Sequence, residues 1–330
     1  MADEKRRIFF FCFFINRFAH ILTTEKYVEE INERPIVAVP VMRITDKTLI
    51  KLNPALKGKN YLSAGYVKFI EMSGGRVVPI LPEMTDEEVK HIFNSVNGLL
   101  FPGGEISLNG SGYHIMVNKL LELAVKANED GVVFPVLGIC RGMQALIVHD
   151  AEEGLFSLTL TNSSNYTATV RWNTQELKNS SFLSSIPEKM MQESETYPIT
   201  SHFHKYGVTP GFLKSSSKLN KLYRVLATSL DRDGKEFISI LEGKTFPFYG
   251  VQFHPEKTMF EWAETMTIPH SSKAIRFGQF IGNSYMDQVR RNTRHFHNSS
   301  IEREYVIENY RSLRADNIKS HTPFQQIYIL

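Results

Sequence analysis

One strand-to-turn segment, residues 134–143, constrains the fold of this chain more than any other. The apolar run Phe-Pro-Val-Leu leads into Gly-Ile-Cys-Arg-Gly, so that Gly138 and Gly142 flank Cys140. We interpret the run as a buried strand that ends in a sharp turn, with a helix beginning directly behind it. The glycines favour this geometry because a tight strand-to-helix turn leaves little room for Cβ atoms beside the central residue. The turn therefore presents the Cys140 thiol at the carboxyl end of a strand, as in a nucleophile elbow.

A second group of polar residues follows another short apolar run far downstream. Residues 248–256 read Phe-Tyr-Gly-Val-Gln-Phe-His-Pro-Glu and place His254 and Glu256 at the end of the run. A histidine that takes the thiol proton, with a carboxylate that orients the histidine, completes a nucleophile, base and orienting group. Most free cysteines are packing residues. Because catalytic partners are distant in sequence and adjacent in space, the three residues together favour a catalytic interpretation.

Strands and helices alternate along the first half of the chain. The pattern predicts strands over 35–42, 76–81 and 98–101 and helices over 59–73 and 113–128, and Thr85-Asp-Glu-Glu is a capping box. Most of the strands are short and wholly apolar, which indicates parallel strands covered on both faces. We therefore predict an α/β fold with a doubly wound, mostly parallel central sheet and helices on both faces. Sites in such sheets lie at the carboxyl ends of strands.

Composition excludes several classes of function. The chain has 330 residues, of which 42% are hydrophobic and 22% charged, enough for one large domain or two modest ones. The net charge of +3 is small and the basic residues are dispersed, so we expect no nucleic-acid partner. No apolar run approaches the length of a membrane span. The pairs His202-Phe-His204 and His295-Phe-His297 lack the ligand spacing of a zinc site, so we expect no metal. Catalysis by a cysteine, a histidine and a carboxylate implies no cofactor.

The N-terminal residues 1–24 predict a secretory signal peptide or an N-terminal tail. A basic cluster at residues 5–7 precedes the apolar run 8–15, which contains Cys12. Removal of this segment would leave Cys140 as the single cysteine, so no internal disulfide could form. Glycosylation sequons also predict exposure to a secretory lumen. Their asparagines are Asn109, Asn162, Asn165, Asn179 and Asn298.

The motifs around Cys140 and His254 resemble those of the class I glutamine amidotransferase-like superfamily. Within that superfamily the chain is similar to the gamma-glutamyl hydrolases, or folylpoly-gamma-glutamate hydrolases. The cysteine and histidine motifs identify only the superfamily. The resemblance to the hydrolases in particular depends on the residues after His254 and on those at the C-terminus. The similar segments imply one domain over residues 35–330. They are 35–39, 66–71, 75–79, 96–104, 202–206, 233–239, 254–262, 268–270 and 324–330.

The resemblance implies a flavodoxin-like fold and a cysteine hydrolase that cleaves γ-glutamyl amide bonds, most typically of folylpoly-γ-glutamates, through a thioester acyl-enzyme. Cys140 would be the nucleophile, His254 the base and Glu256 the orienting carboxylate. The backbone N–H groups of Gly104 and Arg141 would form the oxyanion hole. The expected partner is the small γ-glutamyl substrate, the family resemblance implies a homodimer, and the location would be secreted or the lumen of a lysosome or vacuole.

Three further residues are expected to bind substrate. His204 matches the position of an additional active-site histidine of the hydrolases, whereas a packing or surface role is expected for His202. Arg141 stands where the family usually has leucine, and its guanidinium would contact a substrate carboxylate, stabilise the thiolate or lie in an internal ion pair. Gln144 replaces the glutamate of the animal hydrolases and is commoner in amidotransferases and in bacterial gamma-glutamyl-GABA hydrolases.

Two alternative functions stay open at this point. The first is an amidase that acts on glutamine or on other small γ-glutamyl amines. The second, of another class, is a non-catalytic secreted binding protein on the same scaffold. The joint presence of Cys140, His254 and Glu256 argues against the second alternative, because a binding role requires none of them.

Overall fold

The structure, a computed structural model, describes residues 31–45, 50, 54–314 and 324–330. The predicted signal peptide or tail at residues 1–24 lies outside these residues. The strands are β1 (Ile36–Pro40), β2 (Met42–Arg43), β3 (Asn60–Ser63), β4 (Arg76–Ile80), β5 (Gly98–Phe101), β6 (Val136–Ile139), β7 (Thr159–Ala168), β8 (Arg171–Trp172), β9 (Thr200–Gly207), β10 (Tyr223–Leu230), β11 (Glu236–Gly243), β12 (Phe248–Val251), β13 (Arg311–Arg314) and β14 (Gln326–Ile329).

The helices occupy the connections between these strands. They are α1 (Ala64–Glu71), α2 (Asp86–Phe93), α3 (Gly112–Glu129), α4 (Arg141–Asp150), α5 (Thr174–Leu177), α6 (Glu188–Thr196), α7 (Pro210–Ser215), α8 (Ser217–Leu222), α9 (Lys257–Phe260), α10 (Ser272–Val289) and α11 (Ser299–Tyr305), with short 3₁₀ helices at Pro54–Leu56, Gly154–Ser157 and Ile307–Asn309. Among the described residues, none of these helices is both long and apolar enough to cross a membrane.

The central sheet has eight strands in the order β4-β1-β5-β6-β12-β11-β10-β8. The first five pair in parallel, and the remaining three continue the sheet with antiparallel pairs. The parallel part has the 2-1-3-4-5 order of flavodoxin-like folds. This topology confirms the predicted α/β fold.

Helices cover both faces of the parallel strands. Ile36 and Ala38 of β1 pack in one buried cluster with residues of α2, α3 and α4, whereas Val37 and Val39 pack in a second cluster with α1 and α10. Since both faces of each strand are buried, apolar side chains are required at successive positions. The uninterrupted apolar runs of the sequence have this physical origin.

The helix predicted over residues 59–73 is wrong in its first part. Residues 60–63 form β3, and the helix begins at Ala64, capped by the Ser63 hydroxyl, which accepts the N–H of Gly65. β3 pairs antiparallel with β2 and with the C-terminal strand β14. Local sequence gives no sign of this distant partner, so helical spacing was misleading. The capping box at Thr85 is present as predicted.

Residues 151–194, to which the sequence patterns assign no chemistry, contribute one strand of a two-stranded antiparallel ribbon, β7 with β9. The ribbon is tied to the residues that follow β12. The N–H of His254 donates to the carbonyl oxygen of Ser201 at 2.9 Å, and the Ser201 hydroxyl donates to the His254 carbonyl at 3.2 Å. Strand β9 therefore fixes the backbone of His254 on both sides.

Candidate active site

Cys140 lies in the turn between β6 and α4, with φ of 52° and ψ of −104°. Among the described residues only one other non-glycine residue, Asn165, has a positive φ. Such a conformation costs about 1–3 kcal/mol and persists only where the surroundings enforce it. Here the N–H of Cys140 donates to the carbonyl of Val251 at 2.8 Å, and its own carbonyl accepts the N–H of Gln144. Main-chain bonds on both sides of Cys140 thus hold the turn.

The two flanking glycines are required by close backbone contacts. A Cβ at Gly142 would lie 2.0 Å from the carbonyl oxygen of Phe101, at the end of β5. A Cβ at Gly138 would lie 2.6 Å from the carbonyl group of Gly142. Any side chain at either position would push the elbow away from the neighbouring strand.

The His254 side chain lies between Cys140 and Glu256. Its Nδ1 is 2.7 Å from Glu256 Oε1, which leaves Nε2 as the ring nitrogen for the Cys140 sulfur, whose charge acts on the imidazole. All three side chains are buried, at 6%, 5% and 2% exposure in chain order. Burial alone would lower the pKa of His254, but the negative charges of Glu256 and Cys140 outweigh it and raise that pKa to about 9. The imidazole is therefore held protonated at neutral pH.

A buried group of charges supports Glu256. Glu261 is 1% exposed, and its burial, reinforced by the nearby charge of Glu256, raises the pKa of the Glu261 carboxyl. The Lys257 ammonium acts in the opposite direction on Glu261 and lies over the rings of Phe203 and Phe324, at 5.4 and 5.1 Å from their centroids. The C-terminal segment thus closes over this group through Phe324.

Tyr66 is a site residue to which sequence analysis assigned no role. Its hydroxyl oxygen accepts the N–H of Gly103 at 2.8 Å and lies 3.5 Å from Nδ1 of His254. Burial, followed by the charges of Glu256 and Cys140, raises the pKa of Tyr66 well above its ordinary value, so the hydroxyl stays neutral. Its segment, 66–71, is part of the family resemblance. Helical spacing, however, gives no sign of a bond to a loop 37 residues away.

The two predicted oxyanion donors lie at the carboxyl ends of β5 and β6. Because Gly103 uses its N–H on Tyr66, the next N–H of that loop belongs to Gly104. Arg141 is the first residue of α4, where a helix leaves its N–H groups without intrahelical acceptors. Within the described chain no hydrogen bond is made by the N–H of Gly104 or by that of Arg141. Both donors are available to an oxygen beside Cys140.

Gln144, predicted to bind substrate, is buried and uses its whole amide inside the protein. Its Oε1 accepts from Nη1 of Arg141 at 2.9 Å, and its Nε2 donates to the carbonyl of Tyr206 at 2.6 Å and to Oε1 of Gln252 at 3.3 Å. Gln144 therefore holds Arg141. The internal ion pair considered for Arg141 is not seen among the described residues, since none of their carboxylates lies within salt-bridge distance of it.

His204 and His202 form a hydrogen-bonded pair on β9. His202 Nδ1 is 3.0 Å from His204 Nε2. The other ring nitrogens contact threonine hydroxyls: His202 Nε2 is 3.0 Å from Thr200 Oγ1, and His204 Nδ1 is 3.3 Å from Thr161 Oγ1. The Thr200 hydroxyl donates to the Ala168 carbonyl, so it accepts from His202 Nε2–H. The neutral His202 then accepts from His204 Nε2–H, and neutral His204 accepts from Thr161. Both ring nitrogens of His204 are thus occupied within the protein.

Burial keeps this histidine pair neutral. Burial, followed by the positive charge of His254, lowers the pKa of His204 to about 3. For His202, burial and then the neighbouring His204 lower the pKa well below its ordinary value. The expectation of a packing role for His202 missed its direct bond to His204, a contact that strand alternation at positions 202 and 204 permits.

Comparison with known proteins identifies the family. The family model of peptidase C26 matches residues 35–256, which include Cys140, His254 and Glu256. The chain belongs to the peptidase C26 family. This C26 peptidase is 33% identical over 297 residues to the gamma-glutamyl hydrolase of Bos taurus, 34% over 299 residues to that of Rattus norvegicus and 32% over 298 residues to that of Homo sapiens. Each match covers 90% of this chain and 90% of the relative.

Among solved structures, the glutaminase domain of Trypanosoma brucei CTPS with bound acivicin is 15% identical to this C26 peptidase. The match covers 78% of the peptidase and 94% of that domain, with a TM-score of 0.49.

Proposed function

We propose that this C26 peptidase hydrolyses γ-glutamyl amide bonds, with Cys140 as nucleophile, His254 as acid and base, and Glu256 as orienting carboxylate. One observation carries the proposal: the strained elbow places Cys140 beside the imidazole of His254, whose Nδ1 is hydrogen bonded to Glu256. The curated relatives, all named gamma-glutamyl hydrolases, indicate the class of bond. A binding protein would need neither the strain nor the buried charges.

In the first half of the reaction the Cys140 thiolate attacks the γ-amide carbonyl carbon and forms a carbon–sulfur bond. The carbonyl oxygen becomes an oxyanion, which the N–H groups of Gly104 and Arg141 stabilise. His254 then gives its Nε2 proton to the amide nitrogen as the carbon–nitrogen bond breaks. The amine leaves, and a thioester remains on Cys140.

In the second half a water molecule gives a proton to the now neutral His254 and attacks the thioester carbonyl. The carbon–sulfur bond breaks, the thiolate of Cys140 is restored beside a protonated imidazole, and the glutamyl carboxylic acid leaves. Glu256 accepts the Nδ1–H of His254 throughout, so the same imidazole nitrogen faces the sulfur in both halves.

Folylpoly-γ-glutamates are the substrates we propose first, because the resemblance to the hydrolases extends to the C-terminal residues. The second candidate, an amidase of glutamine or small γ-glutamyl amines, is favoured by Gln144 and Arg141, which depart from the hydrolase pattern. His204, with both nitrogens engaged, supports the wall of the site through its contacts with Thr161 and His202.

We also propose that the protein is secreted or lies in a lysosomal or vacuolar lumen, and that it forms a homodimer. In support of secretion, the asparagines of all five sequons are exposed. Glycosidase treatment of protein from eukaryotic cells, followed by mass measurement, tests the first proposal. Light scattering of the purified protein tests the second.

The deciding experiment offers the purified protein folylpolyglutamates and glutamine side by side and identifies the products by mass spectrometry. Release of glutamate or shortened polyglutamate from folylpolyglutamates, lost in Cys140→Ala, supports the hydrolase. Ammonia from glutamine with no attack on polyglutamates would favour the amidase. No turnover of either substrate would contradict the proposed function.

A further inference from the structure

The Arg141 side chain is a cation beside the nucleophile, and the described part of the chain gives it no carboxylate partner. Its Nη1 donates to the amide oxygen of Gln144, a neutral acceptor, at 2.9 Å. Among the described residues no Asp or Glu lies within salt-bridge distance. A guanidinium offers five N–H donors in a planar fork that matches a carboxylate. Most of that capacity is unused in this structure.

The protein nevertheless holds this cation in a fixed place. Gln144 is 1% exposed, and the Tyr206 carbonyl and Gln252 hold its Nε2, so its Oε1 can only face Arg141. A long side chain that is already ordered loses less conformational entropy when it binds an anion. Gln144 therefore orients the Arg141 guanidinium without neutralising its positive charge. A glutamate at position 144 would neutralise that charge.

The position of Arg141 along the chain sets its reach. Its Cα is about 3.8 Å from that of Cys140, as for any adjacent residues. A γ-glutamyl-glutamate carries one α-carboxylate on the acyl side of the scissile amide and another on the leaving side, each within a few bonds of the carbonyl carbon. An arginine side chain that starts at the residue after the nucleophile is long enough to span those few bonds to either carboxylate.

We propose that the Arg141 guanidinium binds a free α-carboxylate of the γ-glutamyl substrate and thereby determines specificity for anionic substrates. This inference rests on the proposed function. It explains why Gln144 is buried and fully engaged, since its task is to aim Arg141. It also predicts discrimination against amides that lack the carboxylate, because Arg141 would then be covered without a counter-charge.

The test uses p-aminobenzoyl-γ-glutamylglutamate and two of its monoamides, in which either the acyl-side or the leaving-side α-carboxylate is a carboxamide and the terminal γ-carboxylate is kept. Binding to Cys140→Ala protein is measured by calorimetry, and kcat and KM are measured with the active enzyme. Arg141→Met removes the cation, and Arg141→Lys keeps the charge without the fork. Arg171→Met, on the exposed edge strand β8, is the matched control.

We expect the unmodified compound to bind about ten- to hundredfold more tightly than one of the two monoamides. That monoamide identifies the carboxylate which Arg141 contacts. Arg141→Met should abolish the preference by weakening binding of the unmodified compound alone, Arg141→Lys should retain part of the preference, and Arg171→Met should leave it unchanged. Because the ligands are compared within one protein, partial unfolding cannot imitate a selective loss.

An unchanged preference in Arg141→Met would overturn the inference, as would equal binding of all three compounds or no measurable binding. A uniform loss of kcat with all three substrates would assign Arg141 to thiolate stabilisation instead, which also overturns it. The two proposals fail separately. Arg141-dependent binding without turnover contradicts the proposed hydrolysis alone, and turnover with an Arg141-independent preference contradicts the carboxylate site alone.

Discussion

The Tyr66 hydroxyl accepts a hydrogen bond from the backbone N–H of Gly103 at 2.8 Å, so that N–H cannot also stabilise an oxyanion. The same oxygen lies 3.5 Å from Nδ1 of His254. A Cβ on Gly103 would lie 2.9 Å from His254 Cε1 and 3.0 Å from Cys140 Cβ. One buried tyrosine therefore positions the loop after β5 against both the nucleophile and the base.

Tyr66→Phe should lower kcat several-fold to about tenfold with little change in KM, because it releases the loop without touching the bound substrate. The buried N–H of Gly103 also loses its acceptor, so the free energy of unfolding should fall by about 1–3 kcal/mol. Tyr285→Phe is a matched control, since the buried Tyr285 hydroxyl donates to the Leu99 carbonyl within β5 rather than to the loop that follows it. Equal loss of kcat in both variants would show that Tyr66 acts only through stability.

Cys140→Ala should abolish γ-glutamyl hydrolysis, a loss of at least about a thousandfold in kcat, while the circular dichroism spectrum is retained. Iodoacetamide should label Cys140 in the active enzyme and inactivate it in proportion to labelling, as mass spectrometry can follow. Turnover retained in the alanine variant would rule out the cysteine mechanism.

Glu256→Gln should shift the alkaline limb of the kcat/KM profile to lower pH. The pKa of His254 is raised to about 9 in the folded protein, so the protonated imidazole is lost as pH rises through that value. Removing the Glu256 charge lowers this pKa and moves the limb down. We expect a smaller loss of kcat than in Cys140→Ala, and an equal loss would instead indicate a direct chemical role for Glu256.

Stability should follow the same ionisation. Because the folded pKa of His254 lies above its ordinary value of about 6.5, the stabilising contribution is complete below pH 6.5 and is lost as pH rises toward and beyond 9. Urea unfolding at pH 6.5 and pH 9.5 should show this decrease for the native protein. Glu256→Gln should show a smaller decrease over the same interval.

The buried histidine pair should make the protein sensitive to acid. The folded pKa of His204 is about 3, so the unfolded chain binds more protons between pH 6.5 and 3, and stability falls as pH decreases through that window. The limiting slope for one such group is about 1.4 kcal/mol per pH unit. His204→Gln should reduce the slope measured by urea unfolding at pH 7 and pH 5. An unchanged slope would mean that other groups dominate the acid sensitivity.

Gly142→Ala should prevent folding or lower the Tm by more than 10 °C, roughly the effect of a few kcal/mol, since its Cβ would overlap the Phe101 carbonyl. Gly211→Ala is the control, because a Cβ there meets nothing within 4 Å and the residue lies in α7. The measurement is the Tm of both variants by thermal unfolding, compared with that of the native protein. A stable Gly142→Ala variant would contradict the close approach of α4 to β5.

Local pattern determined much of the fold. The apolar runs 76–80, 98–101 and 136–139 are strands because both faces of a parallel sheet are buried, and the glycines around Cys140 indicate an elbow because only glycine tolerates so close a backbone approach. These signals lie within a few residues of the feature they predict. The sequence also contains His254 and Glu256 at the right spacing for an imidazole and its orienting carboxylate.

Only the tertiary structure decided the contacts between segments distant in the chain. Residues 60–63 became a strand because β14, at the far end of the chain, pairs with them. Tyr66 became an acceptor for Gly103, and Gln144 became a donor to the Tyr206 carbonyl and to Gln252, because these distant segments meet where strands β5, β6 and β12 bring their carboxyl ends to one edge of the sheet. Hydrophobic periodicity indicates which face of a helix or strand is buried. It does not record which polar atom will meet another there, since that depends on the packing of the whole sheet.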